Sequence, residues 1–362
     1  MSTSIRIVGA GLVGTSLGIA LTGRGHRVTL EDPSPTAVRL ARDLRAGEVA
    51  GDDAAEEAPE LVVVAAPPDV TAAAVVAALQ RWPGAVVTDV ASVKEAVLRD
   101  VLASGADVRR YVGSHPMAGR ERSGAAAARG DLFDGRAWVV VPHESSDPDA
   151  VRRVRELAAA VGAAVRVMPA AEHDAAVAAV SHVPQLAASV VAAALRELPE
   201  QAVGLAGQGL RDVTRIAASD PRLWTQILAG NARAVRDVLQ GVQRSVDALV
   251  EALDALASGD DRGALGTLSG VLEAGNLGQA RIPGKHGAAP AAYEVVSVVV
   301  PDEPGRLAQL LADIGRAGIN LEDLHLEHGL GQAVGVAEVA VVPAAVAPLR
   351  AELERLGWRV HD

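Results

Sequence analysis

The sequence predicts an α/β protein built on a doubly wound parallel sheet, continued by an all-helical region and a small βαββαβ unit. Three observations predict it. From residue 1 to about 169, short β-branched runs alternate with helical stretches, the pattern of strands joined by crossover helices. Residues 170–282 carry Ala/Leu/Val patterns with charges at helical spacing and no strand run. Residues 293–362 read strand, helix, strand, strand, helix, strand, a ferredoxin-like order.

The elements follow in sequence. Strands are expected at S-I-R-I-V-G (4–9), H-R-V-T-L-E (26–31), L-V-V-V-A-A (61–66), A-V-V-T-D-V (85–90), R-R-Y-V (109–112), A-W-V-V-V (137–141) and A-V-R-V-M (164–168). In the helical part, Asp220-Pro221 reads as an N-cap followed by Pro at the first helical position. R-I-P-G-K-H-G-A-A-P-A-A ends this region, and residues 283–292 read as a linker by their Pro, Gly and Ala content. The last unit opens with Y-E-V-V-S-V-V-V (293–300). Leu307, Leu310, Leu311 and Ile314 then fall on one helix face. Strand runs at 319–327 and 333–342, a helix with Leu349, Leu353 and Leu356, and W-R-V (358–360) complete it.

Composition narrows the function classes. The formal net charge of −11 disfavours nucleic acid and anionic membrane as partners. With no Cys there is no disulfide framework or thiolate metal site. Neither a signal peptide nor an uninterrupted apolar stretch of membrane-spanning length is expected, which points to the cytoplasm. His173, His325 and His328 lack metal-ligand spacing, so no metal is expected. Only two of the 34 basic residues are lysines, Lys94 and Lys285. A Lys kept against such a bias can meet a need for a compact point charge; chance survival is the alternative.

G-A-G-L-V-G (9–14) follows the first strand and opens a helix, the context that gives a glycine motif its meaning. Gly9 serves the tight turn, Gly11 lets backbone approach a pyrophosphate, and Gly14 lets helix pack on strand. The helix N-terminus, with Leu12 and Val13, would receive the phosphates. Asp32 ends the second strand, where a carboxylate binds ribose hydroxyls and repels a 2′-phosphate, so NAD is expected over NADP; Glu31 competes for that role. Ala66 and Pro67 end the next long strand at the same crevice. A Rossmann-type dinucleotide domain over residues 1–169 follows.

Ser92 and Lys94, in D-V-A-S-V-K (89–94), lie past another strand end, and His115, in G-S-H-P-M-A-G (113–119), past the next. A neutral imidazole there can take a proton from an alcohol as hydride leaves its carbon; a loop histidine bonded to backbone is the plainer reading. Arg215 in G-L-R-D-V-T-R-I-A (209–217) can clamp a carboxylate or pair with Asp212 at its helix surface. His182 in S-H-V-P-Q (181–185) sits by a Pro that starts or kinks a helix, and a packed structural role competes with a functional one.

Taken together, G-x-G-x-x-G, D-V-A-S-V-K, H-P-M-A-G-R-E-R-S-G, S-H-V-P and R-D-V-T-R-I-A-x-S-D-P-x-x-W resemble the prephenate dehydrogenase family over nearly the whole chain. The last unit resembles an ACT regulatory domain. The resemblance implies a cytoplasmic homodimer, with residues 170–282 as a dimerisation and substrate domain. It implies NAD-dependent oxidative decarboxylation of prephenate to 4-hydroxyphenylpyruvate on the route to tyrosine. By the same resemblance His115 matches the catalytic histidine and Ser92 the serine that orients it. Glu121 matches a substrate-site glutamate and Arg215 the arginine that binds substrate carboxylate; His182, Gln185 and Lys94 fall at the substrate as well. Family members often carry His where this chain has Gln185, which keeps arogenate, the aminated substrate, as an alternative. P-D-E-P-G-R-L (301–307) and G-I-N-L (318–321) resemble an effector loop and the turn facing it, with Asp302, Pro304, Gly305 and Asn320 as ligands for L-tyrosine. A 3-hydroxyacid dehydrogenase of similar plan would need a Lys on the helical region, and none occurs between Lys94 and Lys285. A non-catalytic NAD or amino-acid sensor would share the fold but not need Ser92, His115 and Arg215 together.

Overall fold

A computed structural model describes residues 2–51, 58–119, 124–282, 293–328 and 333–361. The chain forms two compact units, Met1–Arg244 and Ser245–Asp362.

The first unit opens with β1 (Ser4–Val8), α1 (Leu12–Thr22), β2 (Arg27–Glu31), α2 (Pro35–Asp43), β3 (Glu48–Val49), β4 (Leu61–Val64), α3 (Pro68–Arg81), β5 (Val86–Asp89) and α4 (Glu95–Ala103). Its sheet runs β3-β2-β1-β4-β5, parallel throughout. Strands buried on both faces explain the unbroken Val and Leu runs, since helices cover both sides: all four residues of β4 and of β5 are buried. The order reverses at β1, and the C-terminal ends of β1, β4 and β5 share one edge, where ligands of such sheets bind. The two-residue strand β3 carries too little pattern to be read from sequence.

The next part departs from an all-parallel expectation. R-R-Y-V is not a strand: Val108–Arg110 form a 3₁₀ turn. Arg110 donates to the carbonyls of Leu79, Trp82 and Ala85, which ties that turn to the end of α3. The strand is β6 (Gly113–Pro116), so His115 lies within it rather than past it. β7 (Ala137–Val141), α5 (Pro148–Ala160) and β8 (Ala164–Val167) follow. These three strands form a second sheet, β6-β7-β8, with β6 antiparallel to β7. The Val112 N–H bonded to the Val87 carbonyl at 3.0 Å joins this sheet to β5.

Helices fill the rest of the unit: α6 (Ala170–Val177), α7 (Val183–Ala194), α8 (Glu200–Val203), α9 (Gln208–Thr214), α10 (Pro221–Gly230) and the start of α11 (Ala232–Ala257). Asp220 caps α10 as expected, accepting the Arg222 N–H at 2.9 Å. Between α6 and α7 a π turn spans Ala178–His182, just before Pro184, which has no N–H to donate. The helical run Ala170–Glu197 does have a membrane-spanning length and composition, contrary to the sequence expectation. Its buried His173, Asp174, His182 and Gln185, all hydrogen-bonded within the unit, read instead as a core helix.

The second unit holds the rest of α11, then α12 (Ala264–Gln279), β9 (Glu294–Pro301), α13 (Arg306–Arg316), β10 (Asp323–His328), β11 (Val334–Val341), α14 (Pro343–Arg355) and β12 (Arg359–His361). Its antiparallel sheet runs β10-β11-β9-β12, the ferredoxin-like order. Alternate residues of β9 and β11 point inward, as a sheet covered on one face requires. Leu310, Ile314, Leu349 and Leu353 pack on them, whereas Leu311 is exposed. The linker 283–292, with Lys285, lies outside the described residues.

Candidate active site

The glycine turn between β1 and α1 fits a dinucleotide. Gly9 has φ +113°, and a Cβ there would lie 2.2 Å from the Ala65 carbonyl oxygen. A Cβ on Gly14 would lie 1.9 Å from the Gly9 carbonyl oxygen. Gly11 differs: a Cβ there would meet nothing within 4 Å among the described residues, so the space over the turn is open. No side chain caps α1. The N–H groups of Leu12, Val13 and Gly14 therefore suit a pyrophosphate. Asp32 fastens the turn to β2, accepting the Ala10 N–H at 2.7 Å and the Ser34 N–H at 2.8 Å. Its rival Glu31 is engaged by Arg6 and Arg81, each at 3.4 Å. Beside Asp32 a hollow is lined by Pro35, Val38, Arg39 and Ala50, a shape for a flat base. Ala66 and Pro67 follow β4 at the same edge.

A cleft of about 390 Å³ lies at that sheet edge within the first unit. Ser92 and His115 line one side, with Met117 and Gly119; His182, Gln185, Ser219 and Trp224 line the other. His115 is 8% exposed. Its Nδ1 lies 2.9 Å from His173 Nε2, and His173 Nδ1 lies 2.7 Å from Asp174 Oδ1. Burial first, then His173, Lys94 and His182, hold the His115 pKa well below the usual imidazole value of 6.5. His115 is therefore neutral near pH 7, as a proton acceptor must be. Ser92 follows β5 and lines the cleft opposite His182.

His182 is packed and lines the cleft at once. Its Nδ1 lies 3.2 Å from Asn231 Nδ2, and its ring meets Trp224 edge-on at 6.0 Å. Burial holds its pKa down to about 4, against the opposing pull of Asp174. Gln185 is 6% exposed; its carbonyl accepts from the Ser219 hydroxyl and its amide donates to the Ser189 hydroxyl, both at 3.4 Å.

One expectation needs correcting. Lys94 does not line the cleft. It is 1% exposed, its ammonium pairs with the Asp89 carboxylate, and it donates to the Ser114 carbonyl at 2.8 Å. Tyr111 donates to the other Asp89 oxygen at 2.7 Å. Burial lowers the Lys94 pKa and Asp89 opposes that shift. The retained lysine thus serves a buried pair under the strand that carries His115. Arg215 follows directly on α9. It opens a 3₁₀ turn, Arg215–Ala217, and is exposed, while its neighbour Ile216 lines the cleft; Asp212 accepts from Gln208 at 2.8 Å. Glu121 lies outside the described residues. The residue that sequence reasoning passed over is His173, considered only as a metal ligand. Its signal was the His-Asp pair in the first turn of the helix after the last strand.

In the second unit Asp302, Pro304 and Gly305 form the exposed turn before α13, and Gly305 takes φ +87°. Asn320 lies beyond the other end of α13. An 11-residue helix is about 16 Å long, so one chain holds the two apart rather than facing each other.

Comparison with known proteins matches these features. Residues 17–167 match the family model for the prephenate dehydrogenase nucleotide-binding domain, and residues 169–263 that for the prephenate dehydrogenase dimerization domain. The probable prephenate dehydrogenase NovF of Streptomyces niveus is 37% identical over 371 aligned residues, covering 100% of both chains. The prephenate dehydrogenase of Aquifex aeolicus, solved with hydroxyphenyl propionate and NAD+, superposes with a TM-score of 0.65 at 27% identity, covering 74% of this chain and 96% of that one. The arogenate dehydrogenase of Synechocystis gives 0.60 at 27%, covering 74% and 98%. A glycine turn shaped for a dinucleotide, a buried histidine on the adjoining sheet at the cleft and a relative matched end to end agree: this chain belongs to the prephenate dehydrogenase family and is an NAD-dependent oxidoreductase.

Proposed function

We propose that the cleft binds prephenate and that the chain catalyses its oxidative decarboxylation to 4-hydroxyphenylpyruvate. The observation that carries this reading is His115: its Nδ1 is turned inward to His173, and its other ring nitrogen is left to the cleft. Bound NAD supplies the acceptor for the hydride that leaves C4 of the ring. His115 draws the proton from the C4 hydroxyl as the hydride leaves, the ring carboxylate departs as CO₂, and the oxygen of the newly aromatic ring takes a proton back from His115. Ser92 orients the hydroxyl. Arg215, beside the lining residue Ile216, binds a substrate carboxylate, with Glu121 completing the site. Trp224 and Ile227 supply an apolar wall for the ring. The test is turnover of purified protein with prephenate and arogenate, each with NAD and with NADP. Absence of NAD reduction with both substrates would leave the sensor reading.

Arogenate as a second substrate is favoured by Gln185. Its amide offers both a donor and an acceptor without a charge to repel an ammonium.

The functional partition is residues 1–169 for NAD, 170–282 for dimerisation and substrate, and 293–362 for regulation. A homodimer is supported by Val242, Val246, Val250 and Leu253, exposed along one stripe of α11. The ferredoxin-like unit acts as an ACT domain that binds L-tyrosine. Since one chain separates Asp302, Pro304 and Gly305 from Asn320, the effector sits where two copies meet. Asn320→Ala in the full chain should remove tyrosine inhibition and keep turnover. Unaltered inhibition would point to competition at the active site. The enzyme works in the cytoplasm, without metal, nucleic acid or membrane.

A further inference from the structure

His173 has no exposed surface, and both of its ring nitrogens are engaged. At the far end stands Asp174, 1% exposed. Its Oδ1 accepts the Lys94 N–H and its Oδ2 the Glu95 N–H, each at 2.9 Å. Both oxygens thus accept backbone N–H groups, and a carboxylate only accepts. The proton between Asp174 and His173 therefore sits on His173 Nδ1. A neutral imidazole protonated there has its lone pair at Nε2, so the proton in the next contact belongs to His115 Nδ1. The lone pair of neutral His115 is then at Nε2, on the side of the cleft. The order of protons is dictated from the anchored end.

We infer that His173, held by Asp174, is a positioning residue that fixes His115 as its Nδ1–H tautomer, with Nε2 as the nitrogen that receives the substrate proton. The inference rests on the reading of His115 as the base. When His115 takes the proton at Nε2, its Nδ1–H stays bonded to His173 Nε2. The other charged or titratable groups facing His115 are His182, from the π turn, and Lys94, which is itself paired with Asp89. Neither is hydrogen-bonded to the His115 ring, so the tautomer is set by His173. Asp174 also ties down the start of α4, which makes its removal ambiguous; His173 is the informative position.

Two variants and one measurement on the native chain test this. His173→Leu removes the acceptor; His173→Gln offers a side-chain carbonyl at similar reach. For His173→Leu, kcat should fall by about 10- to 100-fold with KM for prephenate within roughly twofold, because only the fraction of competent tautomer changes. His173→Gln should recover part of kcat. Wild-type kcat in His173→Leu, or no difference between the two variants, would overturn the inference. Should either variant fail to fold, ¹⁵N-histidine NMR of the native full-length chain decides. The His115 signals are identified by their loss in His115→Asn. A protonated Nδ1 and an unprotonated Nε2 are expected; the reverse tautomer would overturn it. This spectrum is independent of turnover, so it separates a wrong tautomer from a wrong base, the latter being shown by near-normal kcat in His115→Asn.

Discussion

Lys94 offers the sharpest quantitative test, because its two readings predict opposite outcomes. Lys94→Met removes the ammonium from a side chain 1% exposed and leaves Asp89, 0% exposed, as a buried anion. Removing one partner of a buried pair costs about 3–5 kcal/mol. Asp89 keeps two donors, the Tyr111 hydroxyl at 2.7 Å and the Ala91 N–H at 2.9 Å, which places the loss at about 3 kcal/mol, the lower end of that range. With m-values of about 1–3 kcal/mol/M in urea, the unfolding midpoint of the first unit should fall by about 1–3 M. Tryptophan fluorescence follows it, since Trp82, Trp138 and Trp224 all lie in that unit. Adding Asp89→Asn removes the orphaned charge and keeps an acceptor for Tyr111. The double variant should therefore be more stable than Lys94→Met alone, by at least about 1 kcal/mol. KM for prephenate should stay put, because the ammonium does not line the cleft. An unchanged midpoint together with a tenfold rise in KM would refute the argument and return Lys94 to the substrate.

Five further outcomes are expected. In native enzyme the acidic limb of kcat should have its midpoint below 6.5, because burial depresses the His115 pKa; a midpoint at or above 6.5 would contradict the burial argument. His115→Asn should lower kcat by on the order of 10²-fold or more while prephenate still binds, measured by calorimetry and steady-state kinetics. His182 has a folded pKa of about 4 against 6.5 unfolded, so its contribution to stability is full above pH 6.5 and is lost as pH falls toward 4; His182→Asn should flatten Tm against pH in that window, and parallel curves would exclude it. Asp32→Ser should weaken NAD and relax the preference over NADP, read as the ratio of kcat/KM values; Gln185→His should shift the prephenate-to-arogenate ratio toward prephenate, about tenfold for each 1.4 kcal/mol by which the two transition states come to differ in binding.

The fold was legible wherever burial was uniform. β1, β4 and β5 are covered on both faces, so their Val and Leu runs could be read without knowing their neighbours. Reading failed where long-range contacts overrode local pattern. R-R-Y-V has a strand composition, but Arg110 finds three carbonyls at the end of α3, from 25 to 31 residues away, and the chain turns to satisfy them. The antiparallel β6 was equally invisible, since strand direction leaves no mark in a four-residue run. Glu31 and Asp32 were indistinguishable in sequence; the ion pairs of Glu31 with Arg6 and Arg81 form only once β1, β2 and α3 are packed.

The histidines show why the site was harder to read than the fold. His173 and His182 are nine positions apart, which in an unbroken α-helix puts them about 180° apart around the axis. Helical periodicity therefore argues against their sharing a site. The π turn over Ala178–His182 adds a residue to one turn, so the nine-residue spacing acts as eight and the separation narrows to about 80°. His173 then reaches His115 from behind while His182 lines the cleft. Asn231 holds this arrangement from the next layer: its amide donates to the Asp174 carbonyl at 2.7 Å and contacts His182 Nδ1 at 3.2 Å. The irregularity has a local cause, because Pro184 cannot donate the N–H that a regular α-helix would need there. A single missing donor thus lets one helical run supply both the support for the base and a wall of the substrate cleft.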